Sequence, residues 1–334
     1  MTQSESPLAI GVDLGGTKVE TALVGVKGDV VFSTRRPSRP EDGTDAVLAT
    51  IVGSVREAYD QAGAARVAGV GVGVAGQIDP ATGMVWTAPN LHWREVPLRA
   101  RLEEALRVPV AVLNDVQSAT YAEWTFGAGR GAADLLCLFV GTGVGGGIVA
   151  QGQLVRGCGG SAGELGHTVV DLNGRPCRCG NRGCLEAYAG GWAIAERARA
   201  ALASRPDARD SLLYAGAQAA GDEVTARTVG EAFRAGDPLA GEIVRETGAA
   251  LGAAVASFLN AFNPCMVILG GGVIEGITKL VERINAEVAA RSLPAARACA
   301  RIVRAQLGLH AGAIGAASWA RLHAAAADPE KPAA

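Results

Sequence analysis

Aromatic side chains are scarce: phenylalanine, tryptophan and tyrosine make up 4% of the 334 residues. The cores must therefore be built from Val, Leu, Ile and Ala, within a hydrophobic content of 49%. Long apolar runs are missing, and no stretch is long enough to span a bilayer. There is no run of basic residues, and the formal net charge is −2. Those absences exclude an electrostatic nucleic-acid surface and a polybasic membrane anchor. The N-terminal stretch Met1-Thr2-Gln3-Ser4-Glu5-Ser6-Pro7 is polar and acidic, unlike a signal peptide. Cysteines number seven, an odd count, and four of them (Cys137, Cys158, Cys265, Cys299) stand singly. Without an export signal they read as thiols and not as a disulfide framework, so a cytoplasmic protein is expected.

Glycine, by contrast, is plentiful at 46 residues, clustered in particular turns where backbone can approach a ligand. The chain length suits two domains or lobes. Near the start, a strand Leu8–Val12 leads through Asp13-Leu14-Gly15-Gly16-Thr17-Lys18 into a second strand, Val19–Val24, and a third, Val30–Ser33. Helical spacing of Val47, Leu48, Ile51, Val52 and Val55 predicts a helix over 41–63. A buried strand, Val67–Val74, a helix, Leu98–Leu106, and a strand, Val108–Leu113, follow, the last delivering Asn114-Asp115. The pattern then recurs: strand Leu135–Val140, glycine turn Gly141–Gly147, returning strand Ile148–Ala150. Residues 185–255 read as mostly helical. A strand, Met266–Leu269, runs into Gly270-Gly271-Gly272 and a long helix, and Ala311–Leu322 forms the last helix before a frayed tail, Ala324–Ala334.

The sharpest local signal is His167 followed by Cys177, Cys179 and Cys184, with Gly180 and Gly183 bending the backbone between them. One imidazole and three thiols make a ligand set for tetrahedral zinc. Four protein ligands leave no open position, so such a metal is a structural clamp. Its task would be to fix the nearby Glu164, His167 and Glu186.

Three glycine patterns need sorting. Gly11–Lys18 ends Gly-Thr-Lys where a P-loop has Gly-Lys-Ser/Thr, and a strand follows where a helix is needed. Gly71-x-Gly73-x-x-Gly76 matches a dinucleotide fingerprint literally, but Pro80 forbids the helix that must follow. Gly141-x-Gly143-x-x-Gly146 fails because a strand continues. What remains is two glycine hairpin turns whose backbone N–H groups can cradle phosphate oxygens. Either alone reads as an ordinary turn; two of them plus Gly270–Gly272 point to a nucleotide. A carboxylate such as Asp13 among phosphate-binding amides calls for a cation between, hence Mg²⁺. Asp115 alone reads as a helix N-cap.

Taken together, these motifs resemble the sugar kinases of the ROK family. The matches are Asp13–Lys18, Leu113-Asn114-Asp115, Gly141–Gly147, Gly163-Glu164-Leu165-Gly166-His167 and the Cys177–Glu186 segment, and Pro89-Asn90-Leu91-x-Trp93 is similar to the bacterial glucokinase branch. The resemblance implies an α/β, two-lobed actin-like ATPase (ribonuclease H-like) fold with an interlobe cleft and a zinc-binding loop. It divides the chain into 1–116 plus 309–334 and 117–308. It implies ATP-dependent phosphorylation of a hexose, glucose before others, with Asp115 as catalytic base. Gly76, Asn90, Asn114, Glu164, His167 and Glu186 would bind the sugar. Asp13, Gly15, Gly16, Thr17, Lys18, Gly141, Thr142, Gly143 and Gly270–Gly272 would hold ATP with Mg²⁺, and His167, Cys177, Cys179 and Cys184 a structural Zn²⁺. A homodimer or homotetramer with a small-molecule sugar substrate is expected, with neither nucleic acid nor membrane as partner. One departure from the family pattern is Val116-Gln117-Ser118, where Ala-Asn-Ala is common; it leaves N-acetylmannosamine, N-acetylglucosamine, fructose and allose as alternative substrates. The family's repressors carry a helix-turn-helix domain before the first hairpin; about ten residues precede Asp13 here, so a repressor or idle sensor is not the expectation.

Overall fold

The computed structural model describes residues 7–221 and 223–326. Residues 1–6, read above as lacking an export signal, lie outside the described residues. So does most of the expected tail, of which only Ala324–Ala326 are described, continuing the last helix. Among the described residues no helix is long and apolar enough to cross a membrane. The chain divides into two compact units. The first runs to Gly131 and adds Gln153–Gly163 and the chain from Gln306 on; the second comprises Ala132–Gly152 and Glu164–Ala305.

The first unit opens with β1 (Leu8–Leu14), β2 (Lys18–Val24) and β3 (Val30–Pro37), then α1 (Thr44–Ala62) and β4 (Val67–Val74). A small three-stranded sheet follows, β5 (Gln77–Ile78), β6 (Val85–Ala88) and β7 (Trp93–Val96), then α2 (Leu98–Leu106), β8 (Val110–Asn114) and α3 (Asp115–Thr125). The main sheet has the order β3-β2-β1-β4-β8, with β1, β4 and β8 parallel. Side chains alternate across it. Ile10, Val12 and Leu14 of β1 and Val70, Val72 and Val74 of β4 pack with Val47, Ile51 and Val55 of α1. Ala9 on the opposite face packs with Ala313 and Ala317 of the C-terminal helix (Ala311–Ala326). That helix lies on the backbone itself: a Cβ at Gly11 would sit 1.8 Å from the Ala313 carbonyl, and one at Gly71 1.8 Å from that of Ala316. The first two glycines of the literal dinucleotide fingerprint, Gly71 and Gly73, thus belong to the small-residue face of a buried strand, and the third, Gly76, lies beyond it. α3 also packs on the C-terminal helix, which draws it into the first unit although residues from 117 on were expected in the second.

The second unit holds β9 (Leu135–Val140) and β10 (Val144–Ala150), an antiparallel hairpin. β11 (Gln153–Leu154) belongs to the segment that clusters with the first unit. The glycine turn expected over 141–147 is shorter than that, because Gly145, Gly146 and Gly147 pair with Phe139, Leu138 and Cys137 as strand. Helices α4 (Glu186–Ala189), α5 (Gly191–Ser204), α6 (Leu212–Ala219), α7 (Ala226–Arg234) and α8 (Pro238–Phe262) follow. Asp237 caps α8, accepting from the Ala240 amide at 2.7 Å, and Pro238 occupies the first turn, where its missing N–H costs nothing. Next come β12 (Met266–Gly270), α9 (Gly272–Gly276), α10 (Leu280–Arg291), α11 (Pro294–Cys299) and β13 (Arg301–Arg304). β12 is parallel to both β9 and β13. The single long helix expected after Gly272 is two helices, because Ile277 leaves helical geometry to become buried between them.

Candidate active site

In the first unit the sequence motifs meet at the carboxyl ends of three parallel strands. Register aligns Asp13 with Gly73, and Leu14 with Val74 and Asn114. The β1–β2 turn closes when the Gly15 amide donates to the Lys18 carbonyl at 2.9 Å. The amides of Gly16 and Thr17 make no hydrogen bond among the described residues, so two consecutive N–H groups remain for an anion. Gly16 lies against Asn90: a Cβ there would come within 2.8 Å of the Asn90 Cβ. Asp13 sits beside the first turn of the C-terminal helix, a Cβ at Gly312 falling 2.7 Å from its Cγ. Burial pushes the Asp13 carboxyl up to about 6; Lys18 and Arg35 oppose the rise and Glu20 adds to it. Lys18 is tied to Glu20 at 3.4 Å. Sequence reasoning missed Glu20, which is 1% exposed and also meets Arg35 at 2.7 Å and His310 at 2.6 Å. A strand residue two positions past a turn carried no motif to mark it.

Asn114 and Asp115 divide their labour. The Asn114 side chain caps α3, accepting from the amides of Val116 at 2.9 Å and Gln117 at 3.1 Å, and donates to the Gly76 carbonyl at 3.2 Å. Capping therefore falls to Asn114, and Asp115 is the first helical residue beyond it. Gln117, at the point of departure from the family pattern, donates from its buried amide to the carbonyls of Gly160 and Ala162 at 2.9 and 3.1 Å.

In the second unit Glu186 organises the other glycine turn. Its Oε2 accepts from the Val144 amide at 2.9 Å, and its Oε1 from the Trp192 indole at 3.2 Å. Gly143 must be glycine for this, since a Cβ would stand 2.4 Å from Glu186 Oε2. The Gly191 and Trp192 amides donate to the carbonyls of Gly141 and Thr142 at 2.9 and 3.0 Å, fastening the turn to α5. Among the described residues the Thr142 and Gly143 amides make no hydrogen bond. The Glu164 carboxyl is raised by partial burial, with His167 opposing and the neighbouring Glu186 adding to the rise, although the residue as a whole is exposed.

The four predicted metal ligands converge: one ligand atom each from His167, Cys177, Cys179 and Cys184, all within 4.8 Å of one another. Cys177 Sγ lies 3.8 Å from His167 Nδ1, and Cys179 Sγ 3.7 Å from Cys184 Sγ. Burial pushes the Cys184 thiol up to about 12, with its sulfur neighbours adding to the rise, a cost that a cation among the sulfurs reverses. Arg178, inside this loop, stacks 4.5 Å over the Trp192 ring.

Beside the second turn opens a cavity of about 820 Å³. Of the residues expected there to contact a nucleotide, Gly141, Thr142 and Gly272 line it and Gly143, Gly270 and Gly271 do not. Gly270 is packed under Phe139, where a Cβ would meet the ring at 2.7 Å. Its remaining walls, among them Trp192, Val224, Arg227, Arg234 and Ile277, were not anticipated. They come from three separate helices and the loops beside them, and only Trp192, just past the Glu186 motif, carried a local hint.

Comparison with known proteins adds to this geometry. The model of the ROK family matches residues 9–323. A glucokinase of Halalkalibacterium halodurans is 36% identical over 312 residues, covering 92% of each chain. A glucokinase of Streptomyces coelicolor is 34% identical over 318 residues, 94% of this chain and 98% of that one. Among solved structures, a ROK family glucokinase from Streptomyces griseus in complex with glucose and AMPPNP matches with a TM-score of 0.82 at 35% identity, covering 94% of this chain and 99% of that one. The expected α/β sugar-kinase fold is therefore the fold observed.

Proposed function

We propose, for a chain that belongs to the ROK family, that it is an ATP-dependent glucokinase forming glucose 6-phosphate, with Asp115 as the general base. The reading rests chiefly on the division of labour at the end of β8, where Asn114 takes the helix cap and relieves Asp115 of it. Likeness over most of the chain to a glucokinase bound to glucose and AMPPNP supports both substrates.

In this mechanism the 6-hydroxyl of the sugar attacks the γ-phosphorus. Its proton passes to the Asp115 carboxylate, and the bond from phosphorus to the ADP oxygen breaks. A base in that position contributes about 10²–10⁴-fold. The paired amides of Gly16 and Thr17, and of Thr142 and Gly143, offer donors to phosphate oxygens. The cavity lined by Trp192, Val224 and Ile277 offers apolar walls to the nucleoside. Glu164, His167 and Glu186 would accept from or donate to sugar hydroxyls, as would Gly76, Asn90 and Asn114. Magnesium bound with the nucleotide neutralises phosphate charge, and Asp13, whose buried carboxyl ionises reluctantly by itself, suits the cation.

The Cys-His cluster fits zinc. Zinc–sulfur bonds of about 2.3 Å in a tetrahedron set sulfur–sulfur edges near 3.8 Å, and the Cys179–Cys184 separation is 3.7 Å. His167, Cys177, Cys179 and Cys184 would hold the ion, which supplies rigidity to the loop bearing Glu186 and takes no part in bond making.

The test is ADP release measured across glucose, fructose, mannose, allose and the N-acetylhexosamines. Glucose should give the largest kcat/KM. A preference for an N-acetylhexosamine would overturn the assigned sugar, and no turnover with any of them the assigned activity.

A further inference from the structure

The second unit contains another cavity, of about 670 Å³, which the proposed reaction leaves unused. Its charged lining is four arginines, Arg175, Arg197, Arg205 and Arg245, against two carboxylates, Glu242 and Glu246. The carboxylates are already committed. Glu246 binds Arg175 at 2.7 Å through one oxygen and Arg197 at 2.8 Å through the other. Glu242 binds Arg205 at 2.6 Å. Arg197 is only 10% exposed and is saturated, donating also to the Tyr188 carbonyl and the Thr247 hydroxyl, each at 2.6 Å.

Two guanidinium positions are left over. Arg245 makes no ion pair or hydrogen bond among the described residues. The Nη1 of Arg175 is buried without any hydrogen-bond partner. A buried, unpartnered guanidinium nitrogen is costly and marks a place where an acceptor belongs. Arginine is the residue whose rigid fork matches tetrahedral oxyanions, and excess positive charge in a concave site concentrates them. We infer that this cavity is an accessory binding site for a small phosphate-bearing anion, separate from the cavity beside the Gly141 turn.

The site has a direct connection to the proposed sugar-binding loop. Arg175 stacks 4.8 Å over Tyr188, and its backbone amide donates to the Tyr188 hydroxyl at 3.2 Å. Tyr188 lies in α4, which begins at Glu186. An anion that orders Arg175 therefore steadies the helix from which Glu186 reaches the Gly143 turn.

The experiment is isothermal titration of the full chain with inorganic phosphate and with glucose 6-phosphate, run with AMPPNP and glucose present at saturation. One further phosphate-binding event per chain is expected with either probe. Arg245→Glu should weaken it by about tenfold or more, the loss of one charge-assisted contact. Arg234→Ala, in the other cavity, should leave it unchanged. Arg245→Ala is the milder second variant should the charge reversal disturb folding, with metal content and circular dichroism reporting an intact chain. Absence of a further event up to about 10 mM, far weaker than specific sites need, overturns the proposal. So does undiminished binding in both Arg245 variants. Binding lost in Arg234→Ala but kept in Arg245→Glu would assign the phosphate to the other cavity and overturn it equally.

Discussion

The two glycine turns, one in each unit, reach a similar backbone arrangement with different chemistry. Each leaves two consecutive amides unbonded, at Gly16-Thr17 and at Thr142-Gly143. The first turn draws its charge from its own strands: Asp13 before it, Lys18 and Glu20 after it. The second carries no ionisable residue of its own. Its carboxylate, Glu186, arrives from 42 residues further along the chain and is held by the Val144 amide and the Trp192 indole. One turn is built by local sequence and the other by assembly, so they should fail in different ways.

The largest effect tests the residue that belongs to neither turn. Asp115→Asn should lower kcat by about 10²–10⁴-fold while changing glucose affinity little. Near-normal kcat would remove the base from Asp115. Next, Cys184→Ser should lose the metal, seen by elemental analysis, and raise the KM for glucose by about 10–100-fold. Full metal content and unchanged KM would show that the second turn does not depend on the loop.

A smaller effect separates neighbouring glycines. Gly143→Ala forces Glu186 aside and should destabilise the protein by about 1–3 kcal/mol in denaturant titration. Gly141→Ala meets nothing within 4 Å and should stay within about 0.5 kcal/mol of wild type. Equal costs for the two would contradict the packing described for Glu186.

The smallest effect concerns Asp13. Its carboxyl titrates near 6 in the folded chain against an ordinary value of 3.8. The protonated form therefore favours folding, an advantage fully present below pH 3.8 and lost as pH rises through 6. Above that range Asp13→Asn should raise the melting temperature of the nucleotide-free protein by about 2–4 °C. The gain should vanish toward pH 4. A gain independent of pH would mean that burial is not what raises the carboxyl.

Legibility in the sequence followed the same division. The first turn, the Asn114-Asp115 pair and the Cys177–Cys184 loop are contiguous; the Cys-His set named its own chemistry, and the turn and the pair gained theirs from the family resemblance. Strand alternation was legible in β1 and β4, but not that Gly71 faces the C-terminal helix and Gly73 faces α3, because no local signal states which element lies on a sheet face. Asn114 was read as a sugar contact, and the structure adds its capping of α3 and its bond to Gly76. The 820 Å³ cavity, Glu20 with its neighbours Lys18, Arg35 and His310, and the arginine-lined cavity were all unread.

The sequence by itself determined the family and the fold class, and it named a candidate base, a candidate set of metal ligands and both glycine turns. Each candidate group lies in a contiguous stretch of sequence, the longest running from His167 to Cys184, where residue type and spacing point to the chemistry. Only the tertiary structure decided that Gly143 exists to admit Glu186 and that Arg175 keeps a buried nitrogen without an acceptor. Those outcomes depend on atoms brought together by packing between distant segments, and short-range contacts do not specify which distant segments will meet.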